Sequence, residues 1–546
     1  MAEYGIGLDF GTLSARAVLI GEENGSPLAQ AEYKYPHGVL SALPEGEKLP
    51  ERSALAHPAD YIEGLQTLLT DVIQKSGVDP ADIKSIGVDA TSSSVVPLGK
   101  NGLPLCMQPE FADRAHAYIK LWKHQTAVTQ TERLQRVAED LGERFLTDCG
   151  NKISVESFFS KVLETFEEDR EVYDAAFAFC EVGEWITLLL TGKLITSEST
   201  AAFKRFYHPF RGYPAPSYFD TVARGFGSVV RDKIHGDVLP VGESVGTLHP
   251  KMAKLLGLGE DVTVSVPLID AHSAVAACGG NVGDLILIMG TSGVELLVSH
   301  NDTGMNGVFS SAAHTFLPDV YGHEAGQSSV GDTLSWFAQN YMPPEYHDSA
   351  IEKQMSPHEY LTSLAEKLPA GGSGLLALDW NAGVRTPLMD FTLSGALIGL
   401  TNGTRPEEIY RALLEAVAFG VRRNKECFET HGHTVSRVLC CGGIPKKNRL
   451  FCRILSNVLG REIEVLSVTN ACAVGSAIQG VIARGKQPAR TVLSARCITE
   501  TEAFSPDFEE QAVYDRLYKE YLRLSDRLSD YEGIMQTLFD IKRSVG

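Results

Sequence analysis

The stretch GIGLDFGTLSARAVLI, Gly5 to Ile20, decides the fold. Ile6, Leu8 and Phe10 alternate with small residues and one carboxylate, Asp9. Gly11, Thr12, Leu13 and Ser14 make a turn, and Ala15 to Ile20 form a second apolar run containing Arg16. The pattern predicts a β-hairpin whose tip is small and rich in hydroxyl and backbone N–H groups. Gly11 leaves room for a phosphate, and the N–H groups of the turn can point at an anion. Asp9 would repel phosphate unless a cation lay between them. Mg²⁺ suits such a place, since it binds through one or two carboxylates plus substrate phosphates. An ordinary hairpin in which Asp9 caps its own turn fits this stretch equally well.

Farther along, the design returns. Val262 to Ile269 reads as an apolar strand ending at Asp270, followed by a small-residue helix from Ala271 to Cys278. Leu285 to Ile288 and Val294 to Val298 then flank Met289-Gly290-Thr291-Ser292-Gly293. Strand, Gly-Thr tip, strand: the repeat predicts two domains of one architecture, each presenting a hairpin suited to phosphate. No GxxxxGK[ST] occurs, which excludes a P-loop enzyme. Asp270 sits at the carboxyl end of a buried strand, where it could cap its helix or accept a proton from a substrate hydroxyl during phosphoryl transfer. Glu324, in YGHEAGQ, is a second candidate carboxylate and reads as part of a Gly-flanked loop.

Between these motifs, helices alternate with strands, the signature of an α/β protein. Ser85 to Asp89 is a strand leading into Ala90-Thr91-Ser92-Ser93-Ser94, a hydroxyl cluster where α/β sheets present ligand contacts. Asp113 to Lys123, with Trp122, reads as bordering a cleft. SESTAAFKRFYH carries Lys204 in what reads as a loop, where most lysines are solvated and some bind a sugar hydroxyl. Thr404 opens a helix with capping-box spacing to Glu407. Val438 to Cys441 is a strand, and Gly442-Gly443-Ile444-Pro445-Lys446-Lys447-Asn448 turns it into a helix, a place where a nucleoside or phosphate can lie against backbone. Ala473, Gly475, Ala477 and Gly480 give the helix from Ala471 to Arg484 a face for close packing. Tyr514, Leu517, Tyr521, Leu524, Leu528 and Tyr531 form the buried stripe of a last helix, which packs on its own domain or, alternatively, on a second copy.

At 546 residues the chain exceeds one core, and two large domains are expected, 1–265 and 266–546. A net charge of −20 argues against nucleic acid as a partner. The start, MAEYGIGLDF, has neither the basic nor the apolar region of a signal peptide, and no apolar run reaches the length of a membrane span. Ten scattered cysteines without a CxxC pair read as reduced, cytoplasmic thiols.

With these pieces in place, the chain resembles the FGGY family of carbohydrate kinases, within the sugar kinase, Hsp70 and actin superfamily. The resemblance rests on GLDFGTLSARA, IGVDATSSS, EWITLLLTG, LIDAHSAVAACG, MGTSG, GSGLLALDWNAGVRTP, CCGGIPKKN and TNACAVGSAIQG, in that order. LWKHQTA and AAFKRFYHP point to the branch acting on L-ribulose. The resemblance implies two RNase H-like (actin-like ATPase) domains flanking a deep catalytic cleft, with sugar mainly on the first and ATP mainly on the second. It implies Asp270 as catalytic base and Asp9 as the Mg²⁺ ligand. Gly11, Thr12, Ser14 and Arg16 would stand on one side of the phosphates and Gly290, Thr291 and Ser292 on the other. Gly442, Gly443, Lys446 and Asn448 would lie at the adenosine, and Ser92, Ser93, Lys204, Asp270 and Glu324 at the ketopentose. The implied reaction is ATP-dependent phosphorylation of the terminal hydroxyl of L-ribulose, with xylulose or glycerol as the alternative acceptor and a nucleotide-driven clamp as the distant rival. The family's usual Glu-Thr-(Ala/Thr)-Ala-Leu-Gly run is Asn470-Ala471-Cys472-Ala473-Val474-Gly475 here, which leaves the role of that helix open.

Overall fold

The computed structural model describes residues 2–43, 48–50, 52–302, 304–467, 469–498, 500–530 and 533–545. They form two compact units. The first comprises Met1–Asn281, Ser311–Gly322 and Asn470–Ile498; the second comprises Val282–Ser310, His323–Thr469 and Thr499–Gly546. The first unit thus runs past residue 265, because Leu268–Ile269 still pairs with the strand Ile83–Ala90 and carries the Asp270 helix with it.

In the first unit, Tyr4–Phe10 and Ser14–Gly21 form the expected antiparallel hairpin, with Asp9 opposite Arg16. Tyr4–Phe10 also pairs in parallel with Ile83–Ala90, which pairs in parallel with Thr263–Ser265, and Ser244–Thr247 closes that side antiparallel. The second unit repeats this succession. Asp284–Met289 and Gly293–Ser299 form a hairpin, Arg437–Cys441 and Ile463–Leu466 follow in parallel, and Thr501–Phe504 closes antiparallel. Each sheet has its own apolar core, one around Ile6, Leu8, Val88 and Trp185, the other around Leu285, Leu297, Phe419 and Tyr514.

Several local differences from the sequence reading have simple causes. The apolar run from Val262 breaks into Thr263–Ser265 and Leu268–Ile269, because Pro267 has no N–H to give a ladder. Glu324 lies in the strand Tyr321–Gln327, not in a loop. Its flanking glycines serve packing, since a Cβ on Gly326 would meet the Gly293 carbonyl at 2.6 Å. Lys204 ends a buried helix, Glu198–Lys204, whose first turn is capped by Ser197. Thr404 lies before its helix, which runs Pro406–Thr430 with Arg405 at the cap and Glu408 accepting from the Arg405 N–H at 2.7 Å. The helix read as the last is Phe508–Leu528, with Ile534–Val545 after it; its buried tyrosines are Tyr514, Tyr518 and Tyr521, packed in the second unit's core, and Tyr531 lies outside the described residues.

The helix Ala471–Ala483 belongs to the first unit and lies on its sheet with almost no side-chain spacing. A Cβ on Gly7 would come within 1.8 Å of the Ala473 carbonyl, and one on Gly87 within 1.7 Å of the Ser476 carbonyl. From the helix side, a Cβ on Gly475 would meet the Ser273 carbonyl at 1.8 Å. Only glycine fits these crossings. Among the described residues, no helix is long and apolar enough to cross a membrane.

Candidate active site

The carboxyl ends of the parallel strands gather three aspartates in the first unit. Asp9 and Asp89 are register partners on adjacent strands, and Leu268–Ile269, alongside Asp89 and Ala90, delivers Asp270 one residue later. Asp270 opens its helix at the first turn, after Ile269 at the cap, and its Oδ1 accepts from the Ala271 N–H at 2.8 Å. Burial raises the Asp9 carboxyl, and the Arg16 guanidinium, 3.4 Å away, opposes that rise. Burial lifts Asp89 well above the ordinary carboxylate range, helped by the charges of Asp9 and Asp270 and opposed by the Ser476 hydroxyl, which donates to Asp89 Oδ2. Asp89 Oδ1 is buried and has no hydrogen-bond partner. Two adjacent buried carboxylates, one with an unmatched oxygen, fit a hard divalent cation, which would relieve their mutual repulsion. No cluster of three or more His, Cys, Asp or Glu suited to a metal occurs among the described residues.

Asp89 is the residue that sequence reasoning passed over. Its signal was there: GVDATS repeats the strand-end carboxylate of GLDFGT, but the serines that follow it drew the reading instead.

At the hairpin tip, the Gly11 N–H donates to the Ser14 carbonyl at 3.1 Å. Arg16 reaches back along the strand, donating to the Ser14 hydroxyl at 3.1 Å and lying 3.5 Å from Glu32. The Thr12 hydroxyl accepts from the Trp122 indole N–H at 3.0 Å, which places Trp122 against the tip.

Ser92 and Ser93 follow Asp89 at the strand's end. Ser93 is fully buried in the left-handed region, with φ 51°. Its N–H donates to Glu181 at 2.5 Å, its carbonyl accepts from the Lys161 ammonium at 2.6 Å, and its hydroxyl has no partner. Glu181 lies 3.3 Å from the Arg205 guanidinium, which donates twice to Glu184 at 2.7 Å. Arg205 follows Lys204 directly, so the serine turn and Lys204 are anchored by one buried charge network. Removing a member would strand a buried charge, at a cost of about 3–5 kcal/mol.

In the second unit the hairpin tip is held by backbone. Gly290 N–H donates to the Ser292 carbonyl at 2.9 Å, Val330 N–H to the Thr291 carbonyl at 2.8 Å, and Gly331 N–H to the Gly290 carbonyl at 3.0 Å. Gly442, with φ 98°, presses on the base of this tip, since a Cβ there would sit 2.4 Å from the Met289 carbonyl. Gly443 has open space around its Cα. The structure therefore brings Gly290, Thr291, Ser292, Gly442 and Gly443 together. Lys446 donates to the Ser467 carbonyl at 3.0 Å, and Asn448 caps the helix Arg449–Leu459 while donating to Thr362 at 3.2 Å. Glu324 is also in this unit, buried on its strand.

A duplicated sheet with a hairpin in each copy, and carboxylates at the strand ends of the first, is the architecture of a two-domain actin-like fold. Residues 4–277 match the FGGY family of carbohydrate kinases, N-terminal domain, and residues 285–484 match its C-terminal domain. The chain belongs to this family and is a carbohydrate kinase, and kinases of the family use ATP. It is 39% identical over 532 residues to the ribulokinase of Halalkalibacterium halodurans and 38% identical over 532 residues to that of Anoxybacillus flavithermus. Each alignment covers 96% of this chain and 94% of the relative. The fold matches the crystal structure of xylulose kinase from Rhodospirillum rubrum with a TM-score of 0.78 at 24% identity, over 96% of this chain and 98% of that one.

Proposed function

We propose that this kinase phosphorylates L-ribulose at its terminal hydroxyl, using ATP, to give L-ribulose 5-phosphate. The observation that carries the chemistry is Asp270, delivered to the strand ends beside Asp9 and Asp89 with its carboxylate at the start of a helix. The acceptor follows from ribulokinases at 38–39% identity along nearly the whole chain.

In this reading Asp270 takes the proton from the terminal hydroxyl as it attacks the γ-phosphorus, and the phosphoryl group passes in line to the sugar oxygen. Ser92, Ser93, Lys204 and Glu324 orient the ketopentose. The hydroxyl of Thr12, with Gly11, Ser14 and Arg16, and the backbone of Gly290, Thr291 and Ser292 hold the phosphates. Gly443 leaves backbone bare for the adenosine, with Gly442 beside it and Lys446 and Asn448 at its edge. Asp9, with Asp89 beside it, would hold Mg²⁺, which supplies neutralising charge to the phosphates when bound.

ADP release with Mg-ATP across L-ribulose, D-ribulose, D-xylulose, L-xylulose and glycerol tests the reading. Strong turnover on L-ribulose with product phosphorylated at the terminal carbon is expected. Turnover confined to xylulose or glycerol overturns the acceptor while leaving the family intact.

A further inference from the structure

Lys161 is a fully buried lysine that the reaction does not use. It sits on the helix Phe158–Glu168. Its ammonium touches no carboxylate among its hydrogen-bond partners. It donates instead to three backbone carbonyls: Ser93 at 2.6 Å, Leu121 at 2.8 Å and Trp122 at 3.3 Å. An ammonium has three donors and no acceptor, so this cage uses its whole capacity. The three carbonyls come from two segments remote in sequence. One is the serine turn, where Ser93 is held in the left-handed region and its N–H is fixed by Glu181. The other carries Trp122, whose indole donates to the Thr12 hydroxyl on the hairpin tip.

Resting on the reading of Ser92, Ser93 and Lys204 as sugar contacts, we propose that Lys161 is a positioning residue for the sugar. Its ammonium joins the serine turn to the Trp122 segment, and so holds both in the arrangement that binds a ketopentose.

The joint depends on a proton. Burial pushes the Lys161 ammonium down from its usual value to about 7. The charged groups that face it are Glu156 and Glu181, which favour the ammonium, and Lys120 and Lys204, which oppose it. Below neutrality all three carbonyls have a donor. Above it the amine keeps two N–H donors and turns its lone pair toward one carbonyl oxygen, so the cage loses a bond, while the Leu121 carbonyl also accepts from the His124 N–H at 3.0 Å. Affinity for sugar therefore falls as pH rises through neutrality, whereas affinity for ATP, which meets this joint only through the Trp122 indole on Thr12, falls less.

The test measures KM for sugar and for ATP from pH about 6 to about 8.5, in the wild type and in Lys161→Met. Wild-type sugar KM is expected to rise with pH relative to ATP KM. Lys161→Met is expected to raise sugar KM roughly tenfold at the acid end, the scale of a buried carbonyl left unpaired, and to flatten its pH profile. Parallel sugar profiles in the two proteins overturn the proposal. Should Lys161→Met fail to fold, the wild type alone decides, since a sugar KM that is flat against ATP KM also overturns it. The series is run on whichever sugar of the panel is turned over. A sugar other than L-ribulose overturns the acceptor reading and leaves the test of Lys161 intact.

Discussion

The two hairpins share strand pairing and differ in how their tips are held. The first is surrounded by side-chain charge: Asp9, Arg16, Glu32 and the neighbouring Asp89, with Trp122 on Thr12. The second is held by N–H groups of residues 330 and 331 on its own carbonyls, with Gly442 pressed against its base. One scaffold has thus been elaborated twice. Charges that can move protons and bind cations were built around one copy, and neutral dipoles around the other. A tip held by backbone can receive an anion without competing counter-ions, while a tip set among carboxylates is suited to chemistry.

Four substitutions would break or sharpen this contrast. The largest effect belongs to the charged side. Asp270→Asn should cut kcat roughly a thousandfold, the scale of a lost general base, with ATP binding by calorimetry little changed. A variant with near-normal turnover would remove Asp270 from the role of base. On the neutral side, Gly442→Ala places a Cβ 2.4 Å from the Met289 carbonyl at φ 98°. Thermal or urea unfolding should show a loss of about 1–3 kcal/mol, and ATP KM should rise with sugar KM unmoved.

Asp89→Asn probes the carboxylates in the opposite sense. The raised affinity of Asp89 for a proton means that the folded state binds more protons than the unfolded one above the ordinary carboxylate pKa. Its contribution to stability therefore decreases as pH rises from that value through the folded one. The neutral variant should melt higher than the wild type at neutral pH, with the difference shrinking in acid, while turnover drops. A variant that melts lower at neutral pH would show that Asp89 is not held against its charge. The smallest expected effect is Gly290→Ala. A Cβ there meets nothing nearer than the Ser292 carbonyl at 4.0 Å, so stability should stay within about 0.5 kcal/mol. A rise in ATP KM then reports contact with nucleotide alone. Unchanged ATP KM would free this tip from the phosphates.

Much of this architecture could be read from the chain before folding. Both hairpins, the strand ending at Cys441 and the Asp270 helix announce themselves through local period and small residues at the turns, which act over a few positions. Lys204 was singled out but set in a loop, because its helix is short and largely polar, and the Arg205, Glu181 and Glu184 network beside it meets only in the folded unit. Glu324 was misplaced because glycines that admit a neighbouring backbone look the same in sequence as glycines that make a loop. The assignment of Ala471–Ala483 to the first unit was beyond reach for a similar reason. Its small face signals a close neighbour, but nothing in the helix itself says that Gly7 and Gly87 are that neighbour.

That last helix also bears on synthesis. A ribosome that has completed residues 1–281 has made most of the first unit but not the helix that covers Gly7 and Gly87. Nearly two hundred further residues, 282–469, must emerge before it arrives. Until then the nascent sheet presents a bare glycine-lined face, the kind of surface that holds chaperones or invites misassembly. The contact is also among the most distant in sequence that the chain makes, so its closure carries a large entropic cost. The first half of this protein begins folding early and finishes late.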